Sequence, residues 1–172
     1  VVLATPVDTI VPYAKRLARS MKAGGILTDV GSTKARIVRT LDRQLPPSVR
    51  FVGGHPVAGS EQRGLEAARA DLFDGSDCVL TPSSRTSRRA LAAVRRLWRG
   101  LGCDVMTMSP RQHDHLLART SHLPHLVAWC LALAAGGRRP LSSAPRSLLD
   151  TTRIAKSDPE LWDDIVLTNR NF

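Results

Sequence analysis

Three segments carry side chains whose types and surroundings suit chemistry. In Thr28-Asp29-Val30-Gly31-Ser32-Thr33-Lys34 and in Phe51-Val52-Gly53-Gly54-His55-Pro56, a polar side chain follows an apolar run and one or two glycines. His55 has an imidazole that titrates near neutral pH, so it can give or take a proton. Ser32 can hydrogen-bond that imidazole or a ligand. The third segment, Thr152-Arg153-Ile154-Ala155-Lys156-Ser157-Asp158-Pro159, offers Arg153, a planar and permanently charged fork that suits a carboxylate. On residue types alone His55 sits on a tight turn with little side-chain cover. Satisfying the backbone of that turn is the competing role. Two other chemistries fail on spacing. His113, His115, His122 and His125 lie close in sequence, but no carboxylate or cysteine completes a familiar ligand set, so no metal is expected. Gly59-Ser60-Glu61 lacks the G-x-S-x-G elbow of a hydrolase nucleophile.

The first two segments must be held by an α/β framework. Val1–Thr5 is a continuous apolar run of the kind buried on both faces of a parallel sheet. A helix is expected from about Asp8, with Ile10, Tyr13, Ala14 and Leu17 inward, closed by Gly24-Gly25. Ile26–Val30 reads as the next strand, Thr33 to about Leu45 as a helix stopped by Pro46-Pro47, and Arg50–Gly54 as a third strand. Asp77–Thr81, Ser87–Leu101 and Asp104–Thr107 continue as strand, amphipathic helix and strand. This alternation predicts a doubly wound α/β sheet, with Ser32 and His55 just beyond the carboxyl ends of strands, where such sheets bind ligands. From Ser109 the pattern turns helical. One long helix is expected over Arg111–Ala135, kinked at Pro124, with Leu126, Trp129 and Leu133 in the core. A Gly/Ser/Pro/Arg-rich loop and a helix from about Asp158 to Asn169 follow. The boundary near Ser109 divides the chain into 1–108 and 109–172. A dinucleotide-binding sheet opens with a strand, a glycine-rich turn and a helix, and no G-x-G-x-x-G occurs here. The expectation is that a βαβ unit of ~30 residues or more precedes Val1.

Composition narrows the class. The 172 residues are 42% hydrophobic, enough for a buried core, and no apolar run reaches the ~18 residues that a membrane helix needs. Cys78, Cys103 and Cys130 are odd in number and widely spaced, which points to a reducing cytoplasm rather than a disulfide framework. The formal net charge is +10, but aromatics are only 4% and no basic run reaches five residues. The charge is therefore assigned to solvated helix faces and anionic small molecules, with no nucleic acid and no membrane as partner.

In order along the chain, V-L-A-T-P-V, T-D-V-G-S-T-K, F-V-G-G-H-P-V-A-G-S-E, L-F-D-G, the His113-Asp114 pair, S-H-L-P-H and T-R-I-A-K-S-D-P-E-L-W resemble the prephenate and arogenate dehydrogenase family. The resemblance implies a partial Rossmann-type sheet, the later part of an NAD(P)-binding domain, followed by the start of a helical substrate and dimerisation domain. It implies NAD or NADP as cofactor and oxidative decarboxylation of prephenate to 4-hydroxyphenylpyruvate in tyrosine biosynthesis. Arogenate as substrate is the near alternative, and a non-catalytic fragment the distant one. A homodimer is implied for the complete protein. By the same resemblance His55 takes the substrate hydroxyl proton. Ser32 touches that histidine, the hydroxyl and the nicotinamide end. Arg153 binds substrate carboxylate; Glu61, His125 and Trp162 line the pocket; Thr5 and Pro6 form a strand-end turn beside the cofactor. One departure is that Arg146-Ser147-Leu148-Leu149 stands before Asp150, where the family usually has a glycine pair.

Overall fold

The structure, a computed structural model, describes residues 1–58, 68–136 and 144–172. Among these residues five strands form one sheet in the order of the chain: β1 (Val2–Leu3), β2 (Ile26–Asp29), β3 (Arg50–Pro56), β4 (Asp77–Thr81) and β5 (Asp104–Thr107). The architecture is α/β and Rossmann-type, with helices on both faces of the sheet. Helices α1 (Val7–Ala18) and α2 (Ala35–Gln44) cover one face, burying Ile10, Ala14, Ile37 and Leu41 against Leu27 and Phe51. Helix α3 (Arg88–Gly100) covers the other, burying Ala90, Val94 and Trp98 against Val52, Cys78 and Leu80. Sequence neighbours Leu27 and Ile26, and Phe51 and Val52, go to opposite faces, as the two-residue period of a strand requires. Tyr13, expected inward, is exposed, and so is Leu97 of α3.

The sheet is mixed rather than parallel throughout. β1, β2 and β3 are parallel, β4 runs antiparallel to β3, and β5 runs parallel to β4. The antiparallel pairing extends β3 beyond the expected end at Gly54, through His55↔Val79 and Pro56↔Cys78. His55 is therefore a strand residue, 8% exposed, and not the uncovered turn residue that its glycine and proline neighbours suggest. Gly54 serves close packing instead: a Cβ there would lie 2.8 Å from the Asp29 carbonyl of β2.

The helical part begins at Ser109, whose side chain and Gln112 form a reciprocal capping box on α4 (Pro110–Leu117). The expected long helix is interrupted. A π-helical turn, Ala118–His122, separates α4 from α5 (Leu123–Gly136). Pro124 follows at the second position of α5, where its missing N–H breaks the α-helical ladder of the preceding turn. Leu126 and Leu133, expected in the core, are exposed, and Ala128 is the one buried residue of α5. Helix α6 (Arg146–Thr152), absent from the sequence expectation, leads into a 3₁₀ turn, Arg153–Lys156. The chain then enters α7 (Pro159–Asn169), capped by the Asp158 carboxylate. Helix α4 packs on α2 and β4, and α7 packs on α1, so the helical part sits against the carboxyl ends of the strands. No helix among the described residues is long and apolar enough to cross a membrane.

Candidate active site

The parallel register brings three chain segments level. Leu3 pairs with Asp29 and Thr28 with Val52, so Thr5, Gly31-Ser32 and His55 lie at the same edge of the sheet. A buried ion pair fixes that edge. The Lys34 ammonium contacts the Asp29 carboxylate, and both side chains are fully buried. Lys34 Nζ also donates to Gly54 O at 2.8 Å. Asp29 accepts from Gly54 N at 3.1 Å and from Gly31 N at 3.0 Å. Burial pulls the Lys34 ammonium below its ordinary range, against the attraction of Asp29. The pair thus ties the backbone on either side of Ser32 to the residue preceding His55.

His55 is wired to the helical part. Its Nδ1 lies 2.8 Å from Nε2 of His113, and Nδ1 of His113 lies 2.7 Å from Asp114 Oδ1. Asp114 also accepts the amides of Lys34 at 2.7 Å and Ala35 at 2.8 Å, which open helix α2. A carboxylate holding two amides is a pure acceptor, so His113 must donate from Nδ1. With that proton as its only one, the His113 ring accepts at Nε2 and His55 donates to it from Nδ1. The bare nitrogen of His55 is therefore Nε2, which has no hydrogen-bond partner among the described residues and belongs to a ring lining a cleft. Burial first, then His113, Lys34 and His122, hold the His55 imidazole well below its ordinary 6.5.

That cleft has a volume of about 990 Å³ and lies between the sheet edge and the helical part. Of the residues singled out from sequence, His55, Ser32, Arg153, His125 and Trp162 all line it. Thr5 and Pro6 do not. Glu61 lies outside the described residues. The His125 ring stacks on Trp162 with centroids 3.7 Å apart and donates from Nδ1 to Ser121 O at 2.9 Å. Trp129, whose Nε1 donates to Ala155 O at 2.9 Å, meets Trp162 edge-on and ties the Arg153–Lys156 turn to α5. The π turn widens the helix so that Leu117, Thr120, Ser121, His122 and His125 all reach the cleft. Sequence reasoning missed the roles of His113, Asp114, Lys34 and His122. The adjacent His113-Asp114 pair in the first turns of a well-capped helix was the available signal.

His122 is pulled down to about 4, by burial first, then by His113 and His125, with Asp114 opposing. The His55 and His122 rings are thus neutral in the folded chain near pH 7, while unfolded histidines take up protons near 6.5. Below that value the unfolded state binds more protons. Stability present above 6.5 is therefore lost as pH falls toward about 4. Thermal melts should show Tm falling across that window, and His122→Gln should flatten part of the fall. A Tm unmoved by pH, or a slope indifferent to that substitution, would contradict a neutral His122.

The edge at Thr5 fits one end of a dinucleotide. Thr5 Oγ1 is buried with no partner among the described residues, an unmet hydrogen-bonding group at the carboxyl end of a parallel strand level with Ser32.

Comparison with known proteins follows the same division of the chain. Residues 1–107 match the prephenate dehydrogenase nucleotide-binding domain, and residues 109–172 match the prephenate dehydrogenase dimerization domain. The cyclohexadienyl dehydrogenase of Zymomonas mobilis is 38% identical over 98% of this chain and 59% of its own length. The prephenate dehydrogenase of Bacillus subtilis is 37% identical over 99% of this chain and 48% of its own. The crystal structure of prephenate dehydrogenase from Aquifex aeolicus, in complex with hydroxyphenyl propionate and NAD+, superposes with a TM-score of 0.89 at 39% identity. It covers 99% of this chain and 60% of that one. The chain therefore spans about half to three fifths of the length of these relatives. With the two family models matching residues 1–107 and 109–172, the chain belongs to the prephenate dehydrogenase family.

Proposed function

We propose that the chain forms the catalytic cleft of an NAD(P)-dependent dehydrogenase that oxidises and decarboxylates prephenate to 4-hydroxyphenylpyruvate. In this reading residues 1–108 are the later part of the cofactor domain and 109–172 the start of a helical substrate and dimerisation domain. The observation that carries it is the His55–His113–Asp114 relay, which leaves an unprotonated Nε2 on a cleft-lining imidazole. The substrate hydroxyl gives its proton to that nitrogen. The imidazolium formed stays hydrogen-bonded through Nδ1 to His113, and Asp114 stabilises the charge through His113. Ser32, at the same sheet edge, orients the hydroxyl. Arg153 holds a substrate carboxylate, with His125 and Trp162 as the surrounding wall. When bound, the nicotinamide supplies the hydride acceptor at the carbinol carbon. Ser32 would hold that end of it from the cleft, and Thr5 and Pro6 from the neighbouring strand end. Loss of the ring carboxylate as carbon dioxide makes the ring aromatic and drives the reaction.

The protein that carries this chain should reduce nicotinamide and release carbon dioxide in equal amounts when given prephenate. Arogenate, tested side by side, decides between the two substrates of the class. Arg153→Gln should raise KM by about ten- to a hundredfold, the worth of a charge-assisted hydrogen bond. Wild-type protein that turns over neither substrate with either nicotinamide would refute the proposal.

A further inference from the structure

We infer that His122 is a second working histidine of the cleft, an uncharged N–H donor to a carbonyl or carboxylate oxygen of the substrate. In the same inference Asn169 is the positioning residue that fixes its proton on Nε2. The substrate half of this inference rests on the function proposed above; the proton assignment does not.

The assignment follows from one carbonyl. Asn169, on α7 and 4% exposed, places Nδ2 at 2.9 Å from the backbone oxygen of Asp114. A backbone oxygen only accepts, so the amide is oriented with its NH₂ group toward α4. The same Nδ2 lies 2.9 Å from His122 Nδ1. The second amide hydrogen therefore points at that ring nitrogen, which must be bare. A neutral His122 then carries its hydrogen on Nε2. Protonating the ring would set an Nδ1–H against the amide hydrogen and break the contact. The groups facing the ring are Asp114 and His113 of α4, His125 of α5 and Trp162 of α7.

Nε2 has no hydrogen-bond partner among the described residues and is not among their sealed, partnerless polar atoms. The ring lines the same cleft as His55 and Arg153. Trp162 meets the imidazole edge-on, with centroids 5.9 Å apart and planes at 83°, which fixes the plane in which Nε2–H can donate. Asn169 Oδ1 is itself buried without a partner among the described residues. An apolar residue of the same shape would avoid that cost, so the amide is present for what its NH₂ group orients. His55 and His122 thus present neutral imidazoles of opposite sense to the cleft. His55 offers a bare nitrogen to a hydroxyl, and His122 offers a hydrogen to an oxygen that has none. A substrate carrying both a hydroxyl and carbonyl or carboxylate oxygens can meet both only in one orientation.

Two measurements test this on the whole protein. Nitrogen NMR of histidine-labelled protein should find His122 bare at Nδ1 and protonated at Nε2, with His55 the reverse. Asn169→Leu should abolish the preference at His122 alone. Steady-state kinetics with prephenate should show His122→Leu raising KM by about ten- to a hundredfold with a smaller change in kcat. His122→Gln, whose amide can place an N–H near the same point, should recover most of that loss. A His122 proton on Nδ1, or a folded His122→Leu that keeps the wild-type KM, overturns the inference. A wild type that turns over no substrate refutes the proposed function instead, and the nitrogen spectrum still decides the assignment.

Discussion

Replacing His55 by glutamine should lower kcat by about a hundred- to ten-thousandfold while changing KM far less, the usual worth of a positioned general base. The wiring argues for this size of effect. Asp114 is committed to two backbone amides and to His113, His113 to Asp114 and His55, and His55 to His113. No other bare imidazole nitrogen in the cleft has such a chain behind it. The pH dependence has a definite sign. The base must be unprotonated, and burial with His113, Lys34 and His122 holds it neutral well below 6.5. The acid limb of kcat/KM should therefore fall below the ordinary histidine range rather than within it. A limb at or above 6.5, or a glutamine variant with near-native kcat, would remove His55 from the role of base.

The second large effect is on folding. Lys34→Met should destabilise the chain by about 3–5 kcal/mol, because it leaves the Asp29 carboxylate buried without its counter-charge. For a chain of this size that corresponds to a fall in Tm of roughly 6–20 °C. Pairing it with Asp29→Leu should recover much of the loss, since removing both charges leaves no buried ion unmatched. Denaturant unfolding of the single and double variants checks this. A single variant within about 1 kcal/mol of wild type would mean that the pair is not the clamp described here.

Much of this arrangement was readable in the sequence, and the rest fails for identifiable reasons. Strands β1, β2, β4 and β5 announce themselves as short apolar runs between turn residues. Ser32, His55, His125, Arg153 and Trp162, singled out from their motifs, line one cleft. The end of β3 was misread because Gly53, Gly54 and Pro56 are ordinarily turn residues. Here the glycines admit the backbone of β2 and the side chain of Thr81 at close range, which no local pattern reveals. The partner of His55 lies 58 residues away on another element, and no period or propensity connects the two. Leu126 and Leu133 have the spacing of core residues and yet stand in solvent. Helical periodicity reports that a face is apolar and says nothing of what covers it.

Asp114 caps helix α2 with one carboxylate and steers His113 with the same group, so a single side chain reports on two things at once. If α4 lifts from the sheet, the opening amides of α2 lose their acceptor and His55 loses its proton ledger together. In the proposed function, the tautomer of the base is consequently set by assembly of the two parts. A half-docked molecule would hold the same residues and leave the His55 proton free to sit on either ring nitrogen.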